Sequence, residues 1–332
     1  MRFDAALLEK LALWYRAGSR VCLATVAKIE GSSPRSAGAC IAIREGGGVH
    51  GAISNGCVEA EIVENAKAVF ADGEMRVLRF GVGDGVVETA LLCGGTIAVT
   101  LVRLEEAFLE ELIGEVATGR PFAITLDPSA QSIGASLNVG EDVVFDDLSM
   151  RLVLRIDPPL RLVLLGAGDI SEALAIATRA LGYAVTLVDP RRDYVALYAN
   201  PRNYDAIVYA WPESVIDEFP LGEEDAVVSL FHEARFELDA LAYLLTRTRA
   251  YVGALGSRRV QAERLAALIE RGVTRAELAR LHAPVGLDIG ADAPAEIAVA
   301  IAAELVAARN GRAGAPLRDG TGPITRSNQP VR

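Results

Sequence analysis

Histidine and cysteine are scarce in this chain, and what there is of them is dispersed. The three histidines, His50, His232 and His282, stand far apart, and no two of the four cysteines, Cys22, Cys40, Cys57 and Cys93, form a CxxC pair. Zinc-site spacing is therefore missing. Positive charge is also in short supply: 33 Lys and Arg against 44 Asp and Glu leave a net charge of −11. A general nucleic-acid or anionic-membrane binder gains nothing from such a surface. No uninterrupted apolar run reaches transmembrane length. The opening MRFDAALLEKLALWYRAG breaks its apolar stretch with Asp4, Glu9 and Lys10 and offers no small-residue cleavage site, so a signal peptide is not expected. Leu7, Leu8, Leu11 and Trp14 recur there at helical spacing, which reads as an amphipathic helix. The expected location is cytoplasmic, where a disulfide framework is not expected either.

Apolar residues are plentiful, at 51% of 332, enough for two domains with separate cores. Residues 1–157 read as a mixed α+β domain. VCLATVAKIE runs as a strand into the turn GSSPR, and ACIAIREGGGVHGAIS reads as two strands about a glycine-rich turn. CVEAEIVENAKAVFADG reads as a helix ending at Gly73; RVLRFGV, GGTIAVTLVRL, PFAITL, GASLNVG and MRLVLRI read as strands, with a helix over 105–118. Asp157-Pro158-Pro159 continues neither helix nor ladder and marks a linker. From 160 to 310 short apolar runs alternate with helical patterns, the grammar of a Rossmann-like, doubly wound parallel sheet. Residues 311–332 lack periodicity and read as a flexible tail.

The second domain opens with a nucleotide fingerprint. Gly166-Ala167-Gly168-Asp169-Ile170-Ser171 follows a strand and opens a helix, resembling GxGxxG with serine in the third place. The first glycine permits the tight turn and the second lets backbone approach a pyrophosphate. Asp189 closes the next strand at the spacing of a ribose contact, and Arg191 and Arg192 after it suit an extra phosphate. The plainer alternative is a framework whose glycines only make the turn. His232 and the stretch ALGSRR fall where such sheets place ligands, past the carboxyl ends of strands. Ser257 reads there as a helix N-cap, with Arg258 and Arg259 opposing the helix dipole in the first turn, a hint of an anionic ligand.

SNGCVEAEI poses the sharpest question in the first domain. Cys57 follows turn-forming residues and precedes a helix carrying Glu59 and Glu61. A cysteine in a first helical turn lies near unpaired N–H groups that favour thiolate, while the two glutamates oppose it. Thiolate is a soft ligand, suited to a metal–sulfur centre or to sulfane sulfur. Cys93, before Gly94 and Gly95, is a second candidate, and Arg35 of SSPR a candidate anion contact. Cys22 and Cys40 lie in apolar runs and read as packing residues. A small residue required only by a tight turn is the competing account of Cys57.

GSSPRSAGA, SNGCVEAEI and LCGGTIAV, followed by LLGAGDIS, VDPR, AYVGALGSRR and HAPVGLDIGADAPAEIAVAIAAELVAAR, resemble in order the XdhC/CoxI family. These are accessory factors for xanthine dehydrogenase, CO dehydrogenase and related molybdenum hydroxylases, and the likeness runs from about Val21 to Arg309. The resemblance implies a maturation chaperone rather than an enzyme. It would bind molybdenum cofactor (molybdopterin), protect its sulfurated form and deliver it to an apo-hydroxylase client, in association with a cysteine desulfurase. Cys57 would then contact molybdenum through the cofactor or handle its sulfur. The family usually has Gly-Gly-Cys where this chain has Asn55-Gly56-Cys57; Asn adopts the left-handed conformation more readily than most residues and adds an N-cap side chain. The other functional readings are an NAD(P)-dependent oxidoreductase and a nucleotide-binding regulator using the Rossmann domain. For the oxidoreductase, His232 or Asp288 are the only proton donors on offer, with no catalytic tyrosine–lysine spacing or acid–base dyad. A homodimer is expected from common precedent.

Overall fold

β1 (Val21–Glu30) carries a strand's alternation into two cores at once. Val21, Leu23 and Ala27 join one apolar cluster, whereas Cys22, Ala24 and Val26 join another on the opposite face. A bulge between Val26 and Lys28 shifts the register in the middle of the strand. A computed structural model describes residues 5–31, 33, 35–54, 56–81, 94–118, 120–135 and 143–319. The chain divides into two units, Met1–Pro159 and Leu160–Arg332, with the boundary at the double proline.

In the first unit α1 (Ala5–Arg16) precedes β1; β2 (Cys40–Arg44), β3 (Val49–Gly51), α2 (Glu59–Asp72), β4 (Arg76–Phe80) and β5 (Thr96–Arg103) follow. Their antiparallel sheet has the order β3-β2-β1-β5-β4. α2 covers one face with Ile62, Ala66, Val69 and Phe70, the spacing of a single helical stripe. It ends at Gly73, whose left-handed backbone (φ 78°) sends its N–H to the carbonyl of Val69. Facing the other cluster are α1, α3 (Glu106–Ala117) and a second antiparallel sheet. That sheet consists of β6 (Phe122–Leu126), β7 (Gln131–Ala135), β8 (Val143–Asp146) and β9 (Arg151–Ile156), in the order β7-β6-β9-β8. β7 starts earlier than the expected GASLNVG strand, most of which lies outside the described residues, and β8 was not expected from the sequence pattern.

The second unit is a parallel six-stranded sheet. Along the chain run β10 (Leu160–Leu165), α4 (Asp169–Arg179), β11 (Tyr183–Val188), α5 (Arg192–Tyr198), β12 (Ala206–Val208), β13 (Ala226–Ser229) and α6 (Leu238–Arg247). β14 (Tyr251–Ala254), α7 (Arg258–Glu270), α8 (Arg275–Leu278), β15 (Leu281–His282) and α9 (Pro294–Arg309) complete it. The strand order is β12-β11-β10-β13-β14-β15. Leu160, Leu162 and Leu164 of β10 pack with α4 and α9, while Val163 and Leu165 pack with α6 on the opposite face. Burial on both faces explains the near-continuous apolar strands. The order reverses between β10 and β13, so the crevice at their carboxyl ends is where this architecture holds ligands. No helix among the described residues is long and apolar enough to cross a membrane.

Candidate functional site

In the first unit the motif-bearing loops leave one edge of the sheet. Glu30 at the end of β1 pairs with Thr96 at the start of β5, and Phe80 at the end of β4 pairs with Ile97. Gly51 at the end of β3 lies opposite Ile41, next to the start of β2. Backbones crowd at this edge. A Cβ at Gly81 (φ 132°) would stand 2.5 Å from the carbonyl oxygen of Gly95, and one at Gly31 would stand 3.4 Å from the Cα of Gly95.

The loop bearing Cys57 is organised by a single carboxylate. Glu59 Oε1 accepts from the N–H groups of Ile53 (3.0 Å) and Ser54 (2.7 Å). Its Oε2 accepts from the N–H groups of Gly56 (2.8 Å) and Val58 (3.2 Å) and from the Ser54 hydroxyl (2.5 Å). Burial alone would raise this carboxyl, but the bonds from the Ser54 hydroxyl and from the backbone of Ser54 and Ile53 outweigh it and bring it down to about 2. The side chain of Cys57 is half-buried against the cluster containing Ile53, Val58 and Ile62, and its thiol is free. Arg35 donates from Nε to the carbonyl of Ala52 (3.4 Å), tying SSPR to the foot of this loop.

Two expectations change here. α2 begins at Glu59, with Val58 rather than Asn55 at the cap position, so Cys57 precedes the helix instead of lying in its first turn. The N–H groups flanking Cys57 are not unpaired: that of Gly56 is taken by the carboxylate of Glu59, and that of Val58 by the Ser54 hydroxyl (2.9 Å) and Glu59 together. Asn55 and Cys93 lie outside the described residues. Cys22 is fully buried and Cys40 half-buried with its sulfur 3.3 Å from the Thr25 hydroxyl; burial pushes both thiols up to about 12.

At the crevice of the second unit the fingerprint makes its turn as its spacing implied. Gly166 has φ 101°, and a Cβ there would meet the ring of Phe231 at 3.0 Å. Gly168 precedes α4, and the Ser171 hydroxyl bonds back to the Gly168 carbonyl (2.8 Å), so serine fills the third position from within the first turn. Ser257 caps α7 by accepting from the Val260 N–H (3.3 Å), and Arg258, Arg259 and His232 are exposed. Asp288 is exposed on the segment before α9.

Asp189 differs from its expected role. It is fully buried, and each of its oxygens takes two protein donors. Oδ2 accepts from the Ala167 N–H (2.9 Å) and Arg191 Nη2 (2.7 Å); Oδ1 accepts from the Arg191 N–H (2.8 Å) and Nε (2.9 Å). In this structure the acid placed by spacing at a ribose braces the glycine turn and holds an arginine.

Two further clusters carry no local motif. Ser229 donates to Glu237, whose other oxygen accepts from Arg264 Nε (2.9 Å), all three being buried. His282 Nδ1 lies 2.7 Å from Glu304, which also accepts from the Gly286 N–H (2.5 Å), and Tyr251 stacks on the His282 ring. Their members stand on separate strands and helices, so only the fold unites them. Among the described residues no group of three or more His, Cys, Asp or Glu could hold a metal ion.

A family model described as the XdhC and CoxI family matches residues 14–81, and one described as the XdhC Rossmann domain matches residues 162–305. The chain is 28% identical to the molybdenum cofactor insertion chaperone PaoD of Escherichia coli, across 88% of this chain and 84% of that protein. It is 27% identical to a probable xanthine dehydrogenase subunit of Bacillus subtilis, across 86% of this chain and 92% of that one. A crystal structure of a xanthine dehydrogenase from Bacillus halodurans matches with a TM-score of 0.75 and 25% identity, covering 94% of this chain and 97% of that one.

Proposed function

We infer that this chain, which belongs to the XdhC and CoxI family, is a maturation factor that carries molybdenum cofactor to a molybdenum hydroxylase. Similarity to an insertion chaperone along most of both chains supports this role. The observation that carries the site is the free, half-buried thiol of Cys57 on a loop whose backbone is held by Glu59.

Such a thiol is the donor type a soft molybdenum–sulfur centre takes. Here the cofactor is cargo. Cys57 would contact its metal or its sulfido group, and Arg35, already at the foot of the loop, would meet an anionic group of the pterin. Cys93 belongs to the same proposal through its sequence position beside Gly94 and Gly95. The sulfido ligand would come from a cysteine desulfurase. Release to the client requires that the protein hold the cofactor less tightly than the apo-hydroxylase does, which suits a contact through one thiol better than a closed ligand cage.

Reconstitution of an apo-hydroxylase with sulfurated cofactor tests the reading. Cys57→Ala should lose cofactor retention and at least about tenfold in client activation, a difference of about 1.4 kcal/mol in holding the cargo. Unchanged retention and activation by a folded Cys57→Ala protein would overturn it.

A further inference from the structure

We propose that Arg191 is a specificity-determining residue that closes the ribose subsite of the Rossmann unit to dinucleotides. The inference is independent of the maturation role. An ionised carboxylate offers about four lone-pair sites, and Asp189 has all of them engaged by the Ala167 N–H and three donors of Arg191. A ribose diol approaching the acid finds no acceptor left.

The guanidinium also occupies the space above the acid. Its carbon lies 4.3 Å from the Tyr194 ring centroid, 5.1 Å from that of Phe236 and 5.2 Å from that of Phe231. Tyr194 lies in the first turn of α5, after β11, whereas Phe231 and Phe236 follow β13, so Arg191 bridges the two chain segments between which this fold seats adenosine. Phe231 is itself pressed against Gly166 and stacked on Phe236, which stacks in turn on Trp211. Cation–π contact on several rings and a two-point bond to a buried acid hold the guanidinium far more firmly than a surface arginine.

The geometry distinguishes this arrangement from a phosphate reader. An arginine that recognises a 2′-phosphate through two parallel bonds offers it a free donor edge, whereas Arg191 commits its Nε–Nη2 edge to Asp189 and keeps only its remaining Nη donors. Arg192, over the exposed ring of Tyr209, and Arg235, 4.8 Å over the Phe236 ring, are cations that remain outside.

Calorimetric titration of the full chain with NAD⁺, NADP⁺ and ADP-ribose tests the assignment. The unaltered protein should bind each more weakly than about 1 mM, and Arg191→Ala should bind ADP-ribose and NAD⁺ at least about tenfold tighter. Arg191→Gln, which keeps the stem over the rings and drops the charge, serves if circular dichroism shows that Arg191→Ala does not fold. Micromolar binding of any of the three by the unaltered protein would overturn the proposal. So would weaker NADP⁺ binding by the variant, which would make Arg191 a phosphate reader. Absence of a gain in both variants would show that something else closes the site.

Discussion

Glu59 in the first unit gathers backbone N–H groups from the residues just before it, and Asp189 in the second reaches across one strand to the Ala167 N–H. Both carboxylates thereby stiffen a loop that contains glycine. What they leave exposed differs. Glu59 spends its acceptors on the backbone and on Ser54, and the neighbouring Cys57 keeps a free thiol. Asp189 spends half or more of its capacity on Arg191, whose guanidinium then covers the crevice. The same physical device, satisfying backbone donors with a charged acceptor, therefore stands beside a free thiol in one unit and holds an arginine in the other.

Removing the brace on the thiol side is the severest way to break this comparison. Glu59→Ala leaves the donors of Ile53, Ser54 and Gly56 without their acceptor, while Val58 keeps the Ser54 hydroxyl, and should cost roughly 2–3 kcal/mol. Urea unfolding in a Trp211→Phe background, where Trp14 reports the first unit alone, measures the loss, and faster reaction of Cys57 with a thiol reagent should accompany it.

Acid does the same by degrees. Because the carboxyl of Glu59 is lowered from 4.5 to about 2, its stabilisation is fully present above pH 4.5 and is lost as the pH falls through about 2. Cys57 accessibility is measured during the acid exposure with a disulfide reagent that reacts in acid, scaled to a peptide carrying the same cysteine. It should stay constant from about pH 6 to about pH 4.5 in the unaltered protein and rise toward about pH 2; a rise complete by about pH 4.5 would contradict the assignment.

On the crevice side the largest effect belongs to the glycine under Phe231. Gly166→Ala introduces a Cβ at 3.0 Å from that ring at φ 101° and should cost about 1–2 kcal/mol, visible as a lower Tm. The smallest is Ser257→Ala, which removes one long cap bond from α7 and should cost about 0.5–1 kcal/mol without changing the environment of Arg191. Unaltered Trp211 fluorescence in that variant checks the separation, since Trp211 stacks on a ring beneath the guanidinium.

What the sequence showed and what it hid follow the range of the interactions. The strand, turn and helix of LLGAGDIS and the cap at Ser257 rest on neighbours in the chain, and they stand where pattern and turn chemistry placed them. The start of α2 was harder to read, since the apolar stripe of Ile62, Ala66 and Val69 says nothing of a side chain reaching backward. Asp189 was visible by spacing, but its saturation by Arg191 depends on aromatic rings supplied from beyond β13. Strands as short as β15, two residues long, carry too little periodicity to be seen at all.

The brace at Glu59 also bears on the order in which the molecule assembles. Every donor it satisfies lies within the few residues that precede it, so the segment from Ile53 to Glu59 needs only a local closure, an event on the scale of about 10–100 ns. The sheet beneath must instead bring Cys22 to Arg103 across the intervening chain, a pairing that waits on slow loop search. The turn that carries the thiol is thus set by a fast local step and can re-form after a transient opening without any strand having to part, while the apolar cluster the thiol packs against waits on the sheet.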